Sequence, residues 1–210
     1  MDDRIAGIIL AGGLSRRMGG GDKGLLALGG RPVLERAAIR LAPQVGPMAL
    51  NANGDPARFG DLGLPVVADT VEGFAGPLAG ILAGLEWAAA NTRCRAIVTV
   101  AGDTPFFPGN LAERLVSAVA DRPSMIAMAC SRARPHPTFA LWPLAHRKTL
   151  ATFLANEGNR RVLSFIERQG FRQVDFEDEA GACAPFDPFF NINTPADLAA
   201  AELILRGFEP

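Results

Sequence analysis

The sequence predicts an α/β protein of three layers, in which a doubly wound, mostly parallel sheet lies between helices on both faces. Short apolar runs alternate with stretches of helical spacing along the 210 residues. These stretches are about 10 to 15 residues long, which is the length of a crossover between parallel strands. Ligands of such sheets bind beyond the carboxyl ends of the strands. That rule places the loops 11–24, 51–55, 69–77 and 102–108 on one edge of the sheet.

The strands are predicted from short apolar and β-branched runs bounded by glycine, proline or polar residues. Ile5–Leu10 is the first such run, and Ala96–Ala101, with the sequence AIVTVA, is the clearest buried strand. The full set of predicted strands is Ile5–Leu10, 48–53, 65–68, Ala96–Ala101, 124–130, 138–141 and 171–176.

Proline positions and apolar spacing predict the helices. Pro32 opens a helix that ends near Leu41, before Pro43. The apolar residues of 78–85 fall at helical spacing, so an amphipathic helix is expected over 78–90. The remaining predicted helices are 109–120, 144–156, 160–169 and 195–205.

Composition and charge exclude several classes of function. Because 49% of the residues are apolar and 20% are charged, the chain can bury a core, and we expect residues 1–210 to form a single domain. The net charge of −1 provides no cationic field for nucleic acid or an anionic membrane. The three cysteines are far apart and no export signal is evident, which favours a reducing cytoplasm. A monomer is expected.

A glycine-rich loop follows the first strand and suits an anion. Residues 10–24 hold six glycines, two arginines and Lys23, one of only two lysines in the chain. Glycine lets backbone N–H groups approach phosphate oxygens, and the cations supply neutralising charge. Gly19, Gly21 and Gly24 spell G-x-G-x-x-G, but this pattern begins too late after the strand for a dinucleotide fingerprint. A P-loop is excluded because Lys23 is followed by glycine rather than serine or threonine.

The residues of this loop also carry a resemblance to a known family. The string L-A-G-G-x-S-R-R-M-G-G-x-D-K-G-L, which is Leu10–Leu25, resembles the signature loop of the molybdenum cofactor guanylyltransferases, nucleotidyltransferases with a Rossmann-like fold. Other segments match the family in the same order: Asn51-Ala52-Asn53, Asp69, residues 76–80, Gly102-Asp103-Thr104-Pro105, His136-Pro137 and residues 191–195.

The resemblance implies a reaction and its substrates. GMP is transferred from GTP to the terminal phosphate of molybdenum-molybdopterin, and pyrophosphate leaves. Such catalysis is mostly positioning and charge neutralisation. The attacking phosphate is largely ionised at neutral pH, because its second pKa is about 6, so no general base is required. Lys23 and Arg17 are the candidate phosphate contacts.

Asp103 is the candidate magnesium ligand. It follows the strand Ala96–Ala101 at the carboxyl edge, and Mg²⁺ binds through one or two carboxylates plus substrate phosphates. The resemblance assigns the same role to this position, although the family shows a cysteine or a similar small residue where Gly102 stands. A turn or helix-capping aspartate before Pro105 is the structural alternative.

The remaining candidate site residues divide between the two substrates. By resemblance, the Leu10-Ala11-Gly12 backbone lies against the base, and Asn51 and Asp69 contact the guanosine. An asparagine offers both a donor and an acceptor, and an aspartate accepts from N–H or hydroxyl groups. Asn191 and Asn193 lie toward the pterin in the family, but residues 194–197 are also a good helix start. Residues 160 and 161 are arginines that contact the molybdopterin phosphate or face water.

Three other functions remain open on the sequence. A cytidylyltransferase for the same pterin is disfavoured by Gly12, since its loop reads L-A-A-G. A sugar-phosphate nucleotidyltransferase is the second alternative. A non-catalytic adaptor that delivers the cofactor is disfavoured by Lys23 and Asp103, because a pure binder needs no metal-held leaving group. Molybdenum-insertion proteins and molybdoenzyme chaperones are the candidate protein partners.

Overall fold

A seven-stranded sheet and a small hairpin contain all the strands in the residues that the structure describes, which are 4–11, 23–71, 76–156, 161–177 and 187–207 of this computed structural model. The strands are β1 Ile5–Leu10, β2 Ala27–Leu28, β3 Arg31–Pro32, β4 Met48–Asn51, β5 Val66–Val67, β6 Ala96–Ala101, β7 Ile126–Ser131, β8 Arg134–Pro143 and β9 Phe171–Asp175. The α-helices are α1 Val33–Leu41, α2 Pro77–Asn91, α3 Leu111–Ala118, α4 Arg147–Asn156, α5 Val162–Gln169 and α6 Pro195–Arg206.

The large sheet has the order β5-β4-β1-β6-β8-β7-β9, and β8 alone among these strands runs antiparallel to its neighbours. Strand β8 follows β7 through the two-residue loop Arg132-Ala133, with φ of 48° and 57°. Two central residues with positive φ match the turn that the right-handed twist of a hairpin favours. A loop of this length joins only antiparallel strands, and the longer crossovers elsewhere make the sheet mostly parallel.

Two cores, one on each face of the sheet, confirm the predicted three-layer fold. In β1, Ile5 and Ile9 pack with α1 and α3, whereas Ala6 and Ile8 pack with α2, α4 and α5. The alternation follows from the two-residue period of a strand. A third cluster forms where α6 covers the hairpin of β2 and β3, and the Gly29 N–H donates to Glu202 Oε1 at 2.9 Å.

Helix α2 departs from the amphipathic expectation, because residues 78–85 are buried on every side. Gly80 and Gly84, one turn apart, lie against the sheet, where added Cβ atoms would collide with Asn51 and Ile8. The small residues therefore let α2 approach the strands closely, while its leucine and isoleucine side chains complete the core around them.

Most predicted boundaries are confirmed to within a few residues, but three features were not predicted. They are the hairpin of β2 and β3, the 3-10 helix Pro56–Leu62, and the full length of β8. Segment 144–156 begins as the 3-10 helix Leu144–His146 before α4. No helix among the described residues has the length and apolar character that a membrane crossing requires.

Candidate active site

The carboxyl ends of β1, β4, β5 and β6 meet at one edge, as the sequence predicted. Leu10 is the register partner of both Asn51 and Ala101, and Asn51 is the partner of Val67. Beyond the strands, the Ala11 N–H donates to the Asn51 carbonyl and the Gly102 N–H donates to the Leu10 carbonyl, each at 2.9 Å. These bonds extend the sheet into the loops and fix the backbone at the start of the glycine-rich loop.

Two asparagine amides hold the Asp69 carboxylate at this edge. Asn51 Nδ2 donates to Asp69 Oδ1 at 2.9 Å, and Asn53 Nδ2 donates to Asp69 Oδ2 at 2.8 Å. The Asp69 N–H in turn donates to Asn53 Oδ1 at 2.9 Å. Because each carboxylate oxygen has a second lone pair, Asp69 can still accept from a ligand while its orientation is fixed.

Asn51 is 3% exposed, so its own side chain is part of the sheet edge rather than an open ligand group. Its Nδ2 also donates to the Val67 carbonyl at 3.1 Å. Its Oδ1 lies against Gly80 of α2, in the space that a Cβ at position 80 would occupy. The structure therefore places Asn51 between the sheet and α2, where it orients Asp69.

Asp103 lies half-buried at the end of β6, next to the fully buried Thr104. Thr104 Oγ1 lies 3.2 Å from Asp103 Oδ1 and 2.6 Å from Asn191 Oδ1. The Ile192 N–H donates to the Asp103 carbonyl at 2.9 Å. The C-terminal segment thus brings Asn191 to Asp103 across more than 80 residues of sequence.

Leu34 of α1 packs against both Gly24, at the end of the glycine-rich loop, and Gly102, the residue before Asp103. A Cβ at Gly102 would lie 2.7 Å from Leu34 Cδ1, and a Cβ at Gly24 would lie 3.1 Å from Leu34 Cβ. Glycine stands at position 102 because Leu34 already fills that space. Lys23 begins the 3-10 helix Lys23–Leu25, so its backbone is next to the Gly24 contact.

The structure places the five remaining predicted residues less directly. Gly12 and Arg17, like residue 160, lie outside the described residues. Asn193 is exposed, and its N–H donates to Asp197 Oδ2 at 2.9 Å, within the capping box of α6. Arg161 is exposed and precedes α5.

The buried Ser131 and His136 lie close to the half-buried Asp187, but the three residues do not form a nucleophile triad. Ser131 Oγ stands between the other two, 2.7 Å from His136 Nε2 and 2.9 Å from Asp187 Oδ1. In a triad the histidine occupies the middle position. Burial lowers the pKa of His136 to about 4, an effect that Asp187 opposes and Arg134 reinforces. Ser131 is 0% exposed, so the group is structural.

The structural roles of Asn53 and Thr104 were not predicted, although these residues belong to the motifs Asn51-Ala52-Asn53 and Gly102-Asp103-Thr104-Pro105. The Asn-x-Asn spacing was a usable signal, because residues two apart at the end of a strand lie on the same face. No local signal could have paired Thr104 with Asn191, since the contact depends on the fold of the C-terminal segment.

A doubly wound sheet that holds Asp69, Asp103 and the two ends of the glycine-rich loop at its carboxyl edge has the arrangement in which α/β proteins bind nucleotides and similar ligands. The chain belongs to the MobA-like NTP transferase domain family, whose model matches residues 7–174. This confirms the resemblance and the prediction of a nucleotidyltransferase that the motifs supplied.

Comparisons with individual proteins agree with the family. The chain is 60% identical over 202 residues, 96% of each chain, to a molybdenum cofactor guanylyltransferase of Mesorhizobium japonicum. It is 48% identical over 198 residues, 94% of this chain and 92% of the relative, to a protein of the same name from Rhodopseudomonas palustris. Molybdopterin-guanine dinucleotide biosynthesis protein A of Archaeoglobus fulgidus has the same fold, with a TM-score of 0.76, 24% identity, and coverage of 96% and 99%.

Proposed function

We propose that this protein transfers GMP from GTP to the terminal phosphate of molybdenum-molybdopterin, which forms molybdopterin guanine dinucleotide and releases pyrophosphate. The observation that carries the proposal is that Asp103 and Asn191 both contact the Thr104 hydroxyl, at the same edge of the sheet as Asp69. In this proposal Asp69 lies on the side of the nucleotide, Asp103 lies in the centre, and Asn191 lies on the side of the second substrate. The name shared by the relatives at 60% and 48% identity supports the same reaction.

On the nucleotide side, Asp69 accepts from N–H or hydroxyl groups of the guanosine. Asn51 and Asn53 hold its two carboxylate oxygens, so the remaining lone pairs have a fixed direction. Asn51 acts here through Asp69, and the Leu10-Ala11-Gly12 backbone lies beside the base. A preoriented acceptor favours a ligand with matching donors, because an unmatched buried polar group costs about 1 to 3 kcal/mol.

On the phosphate side, Lys23 and Arg17 neutralise the triphosphate, and the residues present fit a magnesium ion. Asp103 offers a half-buried carboxylate at the edge where substrate phosphates would supply the other ligands. When bound, Mg²⁺ supplies charge that stabilises the departing pyrophosphate. The bond from the Ile192 N–H to the Asp103 carbonyl holds the backbone of Asp103, and the Thr104 hydroxyl lies 3.2 Å from its Oδ1.

On the second-substrate side, Asn191 and Asn193 contact the molybdopterin. Thr104 connects Asn191 to Asp103, so the attacking phosphate and the α-phosphorus are brought together by one short chain of contacts. The attacking phosphate is itself an anion, so positioning and charge neutralisation supply the catalysis.

The cellular setting follows from the same reaction. We propose that residues 1–210 act as one monomeric domain in the cytoplasm, where molybdenum-insertion proteins supply the substrate and molybdoenzyme chaperones take the product. The single seven-stranded sheet that unites residues 5–175 supports a one-domain chain.

Thermal unfolding with MgGTP or MgCTP, followed by pyrophosphate release with molybdopterin, tests the function. A ligand at about 100 times its dissociation constant adds about 2.7 kcal/mol to the free energy of unfolding. We expect stabilisation by MgGTP and pyrophosphate release that requires molybdopterin. Stabilisation by MgCTP alone would indicate a cytidylyltransferase, release with a sugar phosphate would indicate the sugar-phosphate reaction, and GTP binding without turnover would indicate an adaptor.

The role of Asp103 is tested by the isosteric change Asp103→Asn. Loss of one charge-stabilising group at a reacting centre costs about 10² to 10³ in kcat, so turnover should fall by that factor while the melting temperature is retained. Asp121→Asn is the matched control, because Asp121 lies before β7 at the opposite edge and pairs with Arg172 at 2.9 Å. Equal kcat for wild type and Asp103→Asn would remove Asp103 from the mechanism.

A further inference from the structure

The His136-Pro137 motif lies where the pairing of β8 is interrupted. Met128 of β7 pairs with Ala140, and the next residue, Ala129, pairs with His136, so β8 advances four residues while β7 advances one. Pro137 lacks the N–H that a regular ladder would need, which places the irregularity at this motif. Within the interrupted part of β8, the Thr138 carbonyl accepts a hydrogen bond from Thr99 Oγ1 at 2.8 Å.

The interruption makes room for the segment 187–193. Pairing between β6 and β8 ends at Thr99 and Ala140, two residues before β6 itself ends. In that region the ring of Phe189 stacks on His136, with centroids 4.2 Å apart and planes inclined by 22°. The same ring lies 4.9 Å from the ring of Phe139 in the core on the α1 and α3 side.

Ser131 and His136 tie this segment to the sheet. Ser131 Oγ has a single proton, which it donates to the Asp187 carboxylate at 2.9 Å. Therefore His136 Nε2 is the donor in the 2.7 Å bond to Ser131 Oγ, and the tautomer of the ring is fixed. Asp187 Oδ1 also accepts from the Phe189 N–H at 2.9 Å. Ser131 and His136 are 0% and 9% exposed, so water cannot readily replace these bonds.

The far end of the segment reaches the reaction site. Four residues after Asp187, Asn191 Oδ1 lies 2.6 Å from Thr104 Oγ1, and the Ile192 N–H donates to the Asp103 carbonyl at 2.9 Å. The segment is therefore held at Asp187 and Phe189 by the hairpin of β7 and β8, and at Asn191 and Ile192 by the end of β6.

We propose that His136, acting through Ser131, Asp187 and Phe189, is a positioning residue that holds Asn191 in place for the second substrate. The proposal rests on the proposed function where it assigns Asn191 to molybdopterin. The proposal gives each residue of the His136-Pro137 motif a role. Pro137 interrupts the pairing of β7 and β8, and His136 holds the segment 187–193 that packs at this interruption.

The test compares Ser131→Ala, which removes the bridging hydroxyl, with two changes at His136. His136→Phe keeps a ring against Phe189 without the N–H donor, whereas His136→Gln restores a donor. We expect KM for molybdopterin to rise about tenfold in Ser131→Ala and His136→Phe, and about threefold or less in His136→Gln. The Kd for MgGTP should stay unchanged, because Asp69 and its asparagines are held by other elements.

Hydrogen exchange supplies a readout that does not depend on turnover. The amides of Phe189 and Ile192 should exchange about tenfold faster in Ser131→Ala, while those of β1 keep their protection. Thr92→Val is the matched control, because its hydroxyl also makes two hydrogen bonds, to the Ala88 carbonyl and from the Cys94 N–H, before the amino end of β6.

The outcomes separate this proposal from the proposed function. Unchanged exchange at Phe189 and Ile192, or an equal loss of MgGTP affinity and molybdopterin affinity, would overturn the positioning role. If the wild type released no pyrophosphate, the proposed function would fail, and the exchange rates would still decide whether Ser131 and His136 hold the segment.

Discussion

Acid should destabilise this protein through His136 in a defined pH range. Burial holds the pKa of His136 at about 4, below its ordinary value of 6.5, with Asp187 opposing the shift and Arg134 adding to it. Well above pH 6.5 the ring is neutral in both the folded and the unfolded state. As the pH falls from there toward about 4, the unfolded chain gains a proton that the folded protein does not bind, and stability is lost.

The size of the effect follows from the two pKa values. Between about pH 7 and about pH 4.5, the proton uptake of this one group lowers the free energy of unfolding by about 2.5 kcal/mol. Other groups titrate over the same range, so the measurement is the difference between wild type and His136→Phe in urea unfolding at each pH. The wild type should lose about 2.5 kcal/mol more than the variant. Equal pH slopes would show that His136 is not held neutral by burial.

Four further changes test the packing of the fold and of the site. Gly80→Ala should abolish stabilisation by MgGTP, because its Cβ would displace Asn51 and release Asp69. Gly84→Ala, where the Cβ meets Ile8, should lower the melting temperature but leave that stabilisation intact. Thr194→Ala should cost about 1 kcal/mol in urea unfolding, since Thr194 Oγ1 caps α6. Trp142→Ala should lower the free energy of unfolding by about 3 to 5 kcal/mol in the same assay, because it leaves a cavity where a fully buried side chain was.

Local patterns were enough to predict most of the fold. The apolar run Ile5–Leu10 and the AIVTVA strand needed no tertiary information, since a run of six residues rich in β-branched and apolar side chains favours a buried strand over a helix. The β8 strand was predicted as only four residues, because proline at positions 135, 137 and 143 argues locally against a strand. The interruption of the ladder accommodates Pro137, and that depends on partners far away in the sequence.

The candidate site shows the same division. The position of Asp103 after a buried strand placed it at the carboxyl edge from sequence alone. The burial of Asn51 against Gly80 could not be predicted, because it depends on how closely α2 packs on the sheet. The histidine motif had a match but no role, since His136 reaches Asp187, 51 positions further along the chain, only through the Ser131 hydroxyl.

By itself the sequence determined the succession of the strands of the large sheet and of the α-helices along the chain, the edge where the ligand loops meet, and the family to which the chain belongs. These depend on apolar periodicity, on the direction of parallel strands and on short motifs, all of which are local properties. Only the tertiary structure decided which polar side chains face each other. It joined Asn53 to Asp69, Thr104 to Asn191 and Ser131 to Asp187, because each bond forms between segments that meet only when the two cores are packed.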